Sequence, residues 1–296
     1  MKTDREKAVL GVDLGGTNIR VGKVVNNSIV KTVSKKLPED KDTNANSVIN
    51  TIINVISEII DDDIVGIGIG IPSVLDRKNG IIYDVQNIPS WKEVHLKDIL
   101  EKQFKKTVFI NNDANCFAIG ERVFGKGQKY ENFVGLAIGT GIGGGIINNG
   151  SLLKDVNCGS GEFGEMKYLD ARYEDYCSSL FFQNKHNTDG FALYNMAMSG
   201  NLKALEIFKT FGAHLGNMVK TVLFALDPEA IIIGGSIAES RIFFEDSMWN
   251  EIRNFTYPKS IDRLTIEYSD LGNNAQILGA AALYIDGVKL TIPKIL

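Results

Sequence analysis

The sequence predicts an α/β protein built from two lobes. Segments with strand and helix patterns alternate along the 296 residues, and a chain of this length favours about two domains. Two glycine-rich turns of related composition, VDLGGTN and AIGTGIGGG, each follow a buried strand pattern. No low-complexity linker divides the chain. Two similar halves, each contributing a glycine turn to a common cleft, would explain these observations.

The first half of the chain begins with strands. Its predicted strands are rich in β-branched residues and lie at 8–16, 19–25, 28–37, 63–72 and 106–113. Helices are predicted at 46–60, 95–104 and 114–125. The first helix is amphipathic because Val48, Ile52 and Val55 fall on one of its faces. The last begins directly after Asp113.

The second half starts with a glycine-rich hairpin at 132–150 and becomes mostly helical from about residue 170. A long amphipathic helix at 201–226 is expected to stop at Asp227-Pro228. The remaining elements are a strand at 230–235, a further helix, a strand at 263–269 and a closing alanine-rich helix at 274–285.

Composition excludes several classes of protein. The net charge of −4 argues against a nucleic-acid or membrane-surface role, which usually requires a basic face. The charged N-terminal segment lacks a signal-peptide pattern, and no apolar run approaches the length of a membrane span. Cys116, Cys158 and Cys177 are widely spaced and form neither a disulfide framework nor a zinc pattern. We therefore expect a reducing, cytoplasmic compartment.

The stretch GLAIGTGIGGGIINNG at 135–150 contains Gly139-x-Gly141-x-x-Gly144, which fits the dinucleotide fingerprint. That fingerprint requires a helix after the glycines. Here a β-branched pair and an Asn-Asn-Gly turn predict a second strand instead. The Walker pattern fails as well, because no Gly-Lys-Ser/Thr closes the loop. This hairpin is therefore suited to another ligand.

Two segments place carboxylates where strands end. In GVDLGGTNIR, Asp13 precedes a tight turn whose N–H groups and hydroxyl could face a phosphate, and its carboxylate could hold Mg²⁺ directly or through water. An ordinary hairpin turn is the alternative. In FINNDANC, Asp113 ends a strand next to Asn112 and could accept a proton from a substrate hydroxyl. It could equally serve only to cap the following helix.

Two further segments are glycine-rich. In CGSGEFGEMKY, Glu162 and Glu165 could accept hydrogen bonds from sugar hydroxyls, or they could lie in a solvated turn. In DPEAIIIGGS, Gly234 and Gly235 follow a strand and would let the backbone approach a flat ring or a phosphate. The same glycines could merely permit tight packing between strand and helix.

Taken in order, these segments resemble the ROK family of sugar kinases, within the actin, hexokinase and chaperone-ATPase superfamily. The motifs that carry the resemblance are GVDLGGTNIRVGKV, GIGIGIPSVLD, NIPSW, NNDANCFAIGE, GLAIGTGIGGGIINNG, GEFGE and PEAIIIGG, and they cover residues 9 to about 282. The resemblance implies a two-lobed actin-like (ribonuclease-H-like) fold, each lobe a mixed sheet flanked by helices, with the ligand cleft between the lobes. Residues 1–113 and about 280–296 would form the smaller N-terminal lobe, and 114–279 the larger C-terminal lobe.

The resemblance also implies an activity: transfer of the γ-phosphoryl group of MgATP to a hydroxyl, the 6-OH, of glucose or a related hexose, with Asp113 as general base. The implied sugar-binding residues are Ser73, Asn87, Asn112, Asp113, Glu162, Glu165 and Glu174. The implied nucleotide-binding residues are Asp13, Gly15, Gly16, Thr17, Asn18, Thr140, Gly141, Gly234 and Gly235. Magnesium, near Asp13, would bridge the β- and γ-phosphate oxygens.

The chain departs from the family pattern at its zinc motif. Glu165 stands where the family has a zinc-binding histidine, and the compact cysteine run that completes the site is missing, since Cys177 stands alone. We predict no structural zinc, which needs about four N or S ligands. Ser73 replaces a family glycine. Because a glutamate accepts hydrogen bonds where a histidine can donate, N-acetylhexosamine, allose, fructose or β-glucoside kinases remain alternatives.

Two other classes are weighed against a kinase. A sugar-responsive repressor of this family would carry a DNA-binding domain before the first phosphate motif, whereas that motif begins here within the first dozen residues. A non-catalytic sugar-binding regulator is disfavoured by the presence of Asp13, Asp113 and both glycine motifs. The expected partners are a sugar and ATP, without nucleic acid or membrane, in a homodimer or homotetramer.

Overall fold

The computed structural model describes residues 7–291. The strands are β1 (Ala8–Leu14), β2 (Asn18–Val25), β3 (Ser28–Lys36), β4 (Ile64–Ile71), β5 (Leu75–Asp76), β6 (Ile81–Tyr83), β7 (Glu93–Val94), β8 (Thr107–Asn112), β9 (Phe133–Ile138), β10 (Ile142–Asn148), β11 (Ser151–Leu152), β12 (Lys167–Tyr168), β13 (Ala171–Arg172), β14 (Ala230–Gly234) and β15 (Thr265–Tyr268). The α-helices are α1 (Ala45–Ser57), α2 (Leu96–Phe104), α3 (Asp113–Phe124), α4 (Tyr173–Cys177), α5 (Gly190–Met198), α6 (Leu202–Leu226), α7 (Arg241–Ile252), α8 (Pro258–Arg263) and α9 (Ala275–Thr291). Every strand and helix predicted from the sequence is present among them.

The first sheet has the strand order β3-β2-β1-β4-β8. Strands β1, β2 and β3 are antiparallel neighbours, whereas β4 and β8 continue the sheet parallel to β1. Strand β1 is buried along almost its whole length because helices cover both faces of the sheet. On one face α9 approaches closely: a Cβ on Gly68 would lie 1.7 Å from the carbonyl oxygen of Ala280. A side chain there would therefore exclude the helix.

The second sheet repeats this arrangement with the order β11-β10-β9-β14-β15. Strands β9, β10 and β11 are antiparallel neighbours, and β14 and β15 continue parallel to β9. In each sheet the glycine-rich turn joins the first two strands. The expected repetition of two similar halves is therefore present, and it places the two turns at equivalent positions.

Helices α3 and α9 connect the two halves. Helix α3 starts where β8 of the first sheet ends and packs against β9 and β10 of the second. Helix α9 packs on β1 and β4 and also on α3. Gly279 allows this crossing, since a Cβ there would lie 2.1 Å from the carbonyl oxygen of Cys116. The long helix α6 and helix α7 complete the apolar core of the second half.

The lobe boundaries at residues 113 and about 280 stay a prediction. Helix α9 begins at Ala275, and its packing on the first sheet includes Ile277. The predicted lobe segments 1–6 and 292–296 lie outside the described residues. Among residues 7–291, no helix is both long and apolar enough to cross a membrane.

Two small sheets were absent from the sequence-based prediction. Strands β5, β6 and β7 form an antiparallel ribbon beside the first sheet, and β12 pairs with β13. Strands of two or three residues are too short to show a period of two. Their pairing instead depends on the tertiary contacts around them.

Candidate functional site

The turn between β1 and β2 forms one wall of the candidate site. The N–H of Gly15 donates to the carbonyl of Asn18 over 2.9 Å, and the carbonyl of Thr17 accepts from the N–H of Leu37 over 2.8 Å. A Cβ on Gly16 would lie 2.7 Å from Cβ of Asn87. The structure therefore brings the predicted nucleotide turn against Asn87, a predicted sugar-binding residue.

Asp13 is paired with Arg20, its cross-strand partner on β2. One oxygen, Oδ2, accepts from Nε of Arg20 over 3.0 Å and from Nη2 over 2.6 Å. The Nη1 group of Arg20 donates to the carbonyl of Asn273 over 3.0 Å and so reaches the segment before α9. Arg20 belongs to none of the site residues predicted from the sequence, although its position opposite Asp13 in a tight hairpin would have indicated it.

Asp113 is the first residue of α3, and Asn112 is its N-cap. The Oδ1 atom of Asn112 accepts from the N–H of Asn115 over 2.7 Å. Oδ1 of Asp113 accepts from the adjacent N–H of Ala114, over 2.9 Å. The possibility that Asp113 serves merely as the helix cap is therefore wrong, because its neighbour has that function.

The side chain of Asn112 is engaged in hydrogen bonds within the protein. Besides capping α3, it donates through Nδ2 to the carbonyl of Cys158 over 2.8 Å, and only 4% of the residue is exposed. Cys158 follows β11 in the second half of the chain, yet it packs into the apolar core of the first sheet. Asn112 thus holds the segment before Glu162 in place, and its predicted contact with sugar stays a prediction.

Burial raises the pKa of the Asp113 carboxyl, and the negative charge of Asp13 raises it further. The two carboxylates therefore lie close enough to interact across the ends of β1 and β8. A raised pKa brings a carboxylate nearer to the range in which it can exchange protons at neutral pH.

Glu162 lies beside the same group of acids. Its pKa is raised to about 7, first by desolvation within the cleft and then by the charges of Asp113, Glu165 and Glu174. The side chain nevertheless remains exposed to solvent. Asp113 and Glu162, which are 49 positions apart in the chain, are thus brought into one electrostatic cluster.

Glu174 lies against the second glycine turn. Its Oε2 accepts from the N–H of Ile142 over 2.9 Å and occupies the space beside Gly141, where a Cβ would be 2.4 Å away. The residue expected to hold a sugar hydroxyl therefore contacts the predicted phosphate hairpin. Thr140, at the tip of that hairpin, is exposed.

Glu165 is exposed and paired with Arg172. Both carboxylate oxygens accept from Nη1 of Arg172, over 2.8 and 2.9 Å. Arg172 also bonds Asp175 through Nε over 3.2 Å and lies 3.7 Å from Glu174. Arg172 belongs to none of the site residues predicted from the sequence, because its separation from Glu165 in an irregular loop gives no periodic signal.

Ser73 is hydrogen-bonded within the small β5–β6–β7 sheet. Its Oγ donates to the carbonyl of Tyr83 over 2.7 Å and so stabilises the β5–β6 ribbon. Of the predicted sugar-binding residues, the structure groups Asp113, Glu162, Glu165 and Glu174 through their charges. Ser73 and Asn112 are instead engaged in hydrogen bonds within the protein.

A cavity of about 720 Å³ opens beside β14, and residues of both sheets line it. Gly234 and Gly235 form part of its wall. Gly235 has φ of 87°, and a Cβ there would lie 2.2 Å from the carbonyl oxygen of Ile138. The Oε1 atom of Gln276, which also lines this cavity, is buried without a hydrogen-bond partner within residues 7–291. An orphaned acceptor in a polar cavity fits a ligand that carries N–H or O–H groups.

No three His, Cys, Asp or Glu side chains in the described part of the chain are grouped so that they could hold a metal ion. His95 pairs with Glu93 at the surface, and His214 bonds the hydroxyl of Tyr168. The absence of a structural zinc ion stays a prediction.

The repeated sheets, the equivalent glycine turns and the cavity between them define the class of two-lobed actin-like ATPases. The ROK family profile matches residues 9–287, and the chain belongs to this family. A glucokinase from Thermotoga maritima is 31% identical over 93% of this chain and 96% of its own length. The xylose repressor of Bacillus subtilis is 30% identical over 75% of this chain and 62% of its own length.

Among solved structures, the ROK family glucokinase of Streptomyces griseus in complex with glucose and AMPPNP superposes with a TM-score of 0.76. It is 25% identical, and the match covers 93% of this chain and 98% of that chain. The predicted family, fold class and enzyme class are confirmed: the chain is of the sugar-kinase type, a phosphotransferase with an alcohol group as acceptor.

Proposed function

We propose that the protein transfers the γ-phosphoryl group of MgATP to the 6-OH of glucose or a related hexose, with Asp113 as general base. The observation that carries this proposal is the position of Asp113 at the junction of β8 and α3, where Asn112 leaves it free of the capping role. It lies between Asp13 and Glu162, in a cluster of acids.

The proposed base has an environment suited to proton transfer. Asp113 would take the proton of the 6-OH while that oxygen forms a bond to the γ-phosphorus and the bond from phosphorus to the β–γ bridging oxygen breaks. The raised pKa of Asp113 increases its basicity relative to an exposed aspartate. Removal of a general base typically lowers the rate by about 10²–10⁴-fold.

The nucleotide would lie along the glycine turns and the cavity beside Gly234 and Gly235. Gly16, Thr17, Asn18, Thr140 and Gly141 would approach its phosphates through backbone N–H groups and hydroxyls. The N–H of Gly15 is bonded to Asn18 within the turn, so Gly15 would leave room for the phosphates through its missing side chain. When bound, magnesium would neutralise charge on the phosphate oxygens. Since Oδ2 of Asp13 already accepts two bonds from Arg20, we expect Asp13 to hold the ion through water or its other oxygen.

The sugar would lie between Asn87 and Glu162, beside Asp113. Glucose is the first candidate because a similar kinase binds it. An N-acetylhexosamine, allose, fructose or a β-glucoside remain alternatives for the same site. A non-catalytic sugar-binding regulator is the second functional class, and it is motivated by the similarity to the Bacillus repressor.

We further propose a cytoplasmic homodimer or homotetramer that acts without nucleic acid or membrane. Self-association is supported by exposed apolar side chains on the helical half, namely Phe191, Met198, Leu202 and Ile242. Sedimentation velocity over a range of concentrations tests it, and a monomer at all of them contradicts it.

The activity is tested by ADP release from ATP with glucose, mannose, allose, fructose, N-acetylglucosamine, N-acetylmannosamine and a β-glucoside. Asp113→Asn should abolish sugar-dependent turnover while leaving ATP binding intact. Asp262→Asn is the matched control, because Asp262 is exposed and forms a surface ion pair with Lys259. Measurable ATP binding without stimulation by any sugar would refute the kinase proposal and favour the regulator.

A further inference from the structure

The loop that carries Glu162 and the second glycine turn are both within reach of one cation, Arg172. Arg172 ends β13 and precedes α4, and three carboxylates surround its guanidinium group. Glu165 is bonded through both oxygens at 2.8 and 2.9 Å, Asp175 at 3.2 Å, and Glu174 lies at 3.7 Å. These acids raise the pKa of Arg172 further, so it remains charged at all relevant pH values.

Two of these carboxylates, those of Glu165 and Glu174, belong to different parts of the site. Glu165 ends the short turn Phe163–Glu165, whose preceding residue is Glu162. Glu174 accepts from the N–H of Ile142 and fills the space beside Gly141. Arg172 therefore lies between the sugar side of the proposed cleft and its phosphate side.

The backbone on both sides is closely packed, so a shift of one part would move the other. A Cβ on Gly164 would lie 3.0 Å from the carbonyl oxygen of Ile142. The N–H of Tyr173 donates to the carbonyl of Met166 over 3.0 Å. In addition to these backbone contacts, the ion pair between Glu165 and Arg172 holds the outer edge of the loop.

We propose that Arg172 is a positioning residue that fixes the loop 161–166 relative to the glycine turn 139–141 through its ion pairs with Glu165 and Glu174. The inference rests on the proposed sugar-kinase function for its kinetic consequence. The coupling of the two segments does not depend on any enzymatic activity. A network of several carboxylates around one arginine contributes more than an isolated surface pair.

Arg172 also controls the charge around Glu162. The charged groups that face Glu162 are Asp113 at the start of α3, Glu165 in its own turn and Glu174 in α4. Arg172 offsets the last two. Removing it leaves these acids without their counterion, so the pKa of Glu162 rises further and its ionised fraction at neutral pH falls.

The test compares Arg172→Met and Arg172→Lys with the wild type. Arg253→Met is the matched control, because Arg253 is an exposed arginine of the same half whose side chain bonds Asn250 and lies over Trp249. In Arg172→Met we expect the KM for sugar to rise about tenfold. In the pH profile of kcat/KM, the limb that rises with pH should shift to higher pH. Arg172→Lys should keep that limb in place, since it keeps the charge.

A readout that needs no activity is amide hydrogen exchange at Ile142, whose N–H donates to Glu174. Exchange should be about tenfold faster in Arg172→Met and unchanged in Arg253→Met. Glu165→Gln combined with Arg172→Met should exchange no faster than Arg172→Met alone. Unchanged exchange at Ile142 in a folded Arg172→Met overturns the inference. A wild type without sugar-dependent turnover, but with the expected exchange result, overturns only the proposed function.

Discussion

We expect the ionised Glu162 side chain to lower the free energy of unfolding, although the same side chain is proposed to bind sugar. Its pKa is about 7 in the fold and 4.5 as an ordinary glutamate. A carboxyl whose pKa is raised by folding contributes stability that is fully present below its unfolded pKa. That contribution is lost as the pH rises through the folded value. Glu162→Gln, which carries no charge, should therefore be more stable than the wild type at pH 8.5 and closer to it at pH 4.

The magnitude follows from the two pKa values. Their difference of about 2.5 corresponds to roughly 3.4 kcal/mol at 1.36 kcal/mol for each pKa unit. Because the Glu162 side chain is exposed to solvent, screening reduces this figure, and we expect a gain of about 1 kcal/mol. The same substitution should weaken sugar binding, because an amide accepts fewer hydrogen bonds than a carboxylate.

Urea unfolding at pH 4, 7 and 8.5 measures the effect, with sugar binding by calorimetry at pH 7.5. Glu206→Gln is the matched control, because Glu206 lies on the exposed face of α6 beside Lys209. An identical difference in unfolding free energy between wild type and Glu162→Gln at all three pH values would refute the reasoning. A Glu162→Gln protein that binds sugar as well as the wild type would remove Glu162 from the site.

Three further outcomes are expected. Gly68→Ala should destabilise the fold by about 3 kcal/mol or prevent folding, since its Cβ would lie 1.7 Å from the backbone of α9. In urea unfolding, the control Gly159→Ala should match the wild type, because a Cβ at Gly159 would have no neighbour within 4 Å. Equal stability of the two variants would contradict the packing argument. Gln276→Met should raise the KM for ATP about tenfold without changing the KM for sugar, because it removes the unpaired acceptor of the cavity. Steady-state kinetics at saturating sugar test this. An unchanged KM for ATP would exclude Gln276 from nucleotide binding. Dialysis against a chelator selective for zinc should leave the unfolding midpoint unchanged, since no cluster of metal ligands is present among the described residues. A midpoint that falls on dialysis and is restored by zinc would show a structural metal ion.

Much of the fold could be predicted from the sequence because its signals are local. The apolar period of α1, the β-branched strands and the Asp227-Pro228 stop of α6 each depend on residues a few positions apart. The short strands β12 and β13 were missed for the opposite reason. Two residues carry no period, and their pairing depends on the surrounding tertiary contacts.

The order of the glycine turns and of the acids that follow strands was determined by the sequence alone. So was membership of a family, since those segments carry the resemblance that the family match confirms. Tertiary structure decided which distant segments meet: Asn112 donates to the carbonyl of Cys158, Arg20 reaches the carbonyl of Asn273, and the charge of Asp113 acts on Glu162. Such contacts depend on how separate segments approach one another and on which charges share a desolvated cleft. No pattern of neighbouring residues encodes that information.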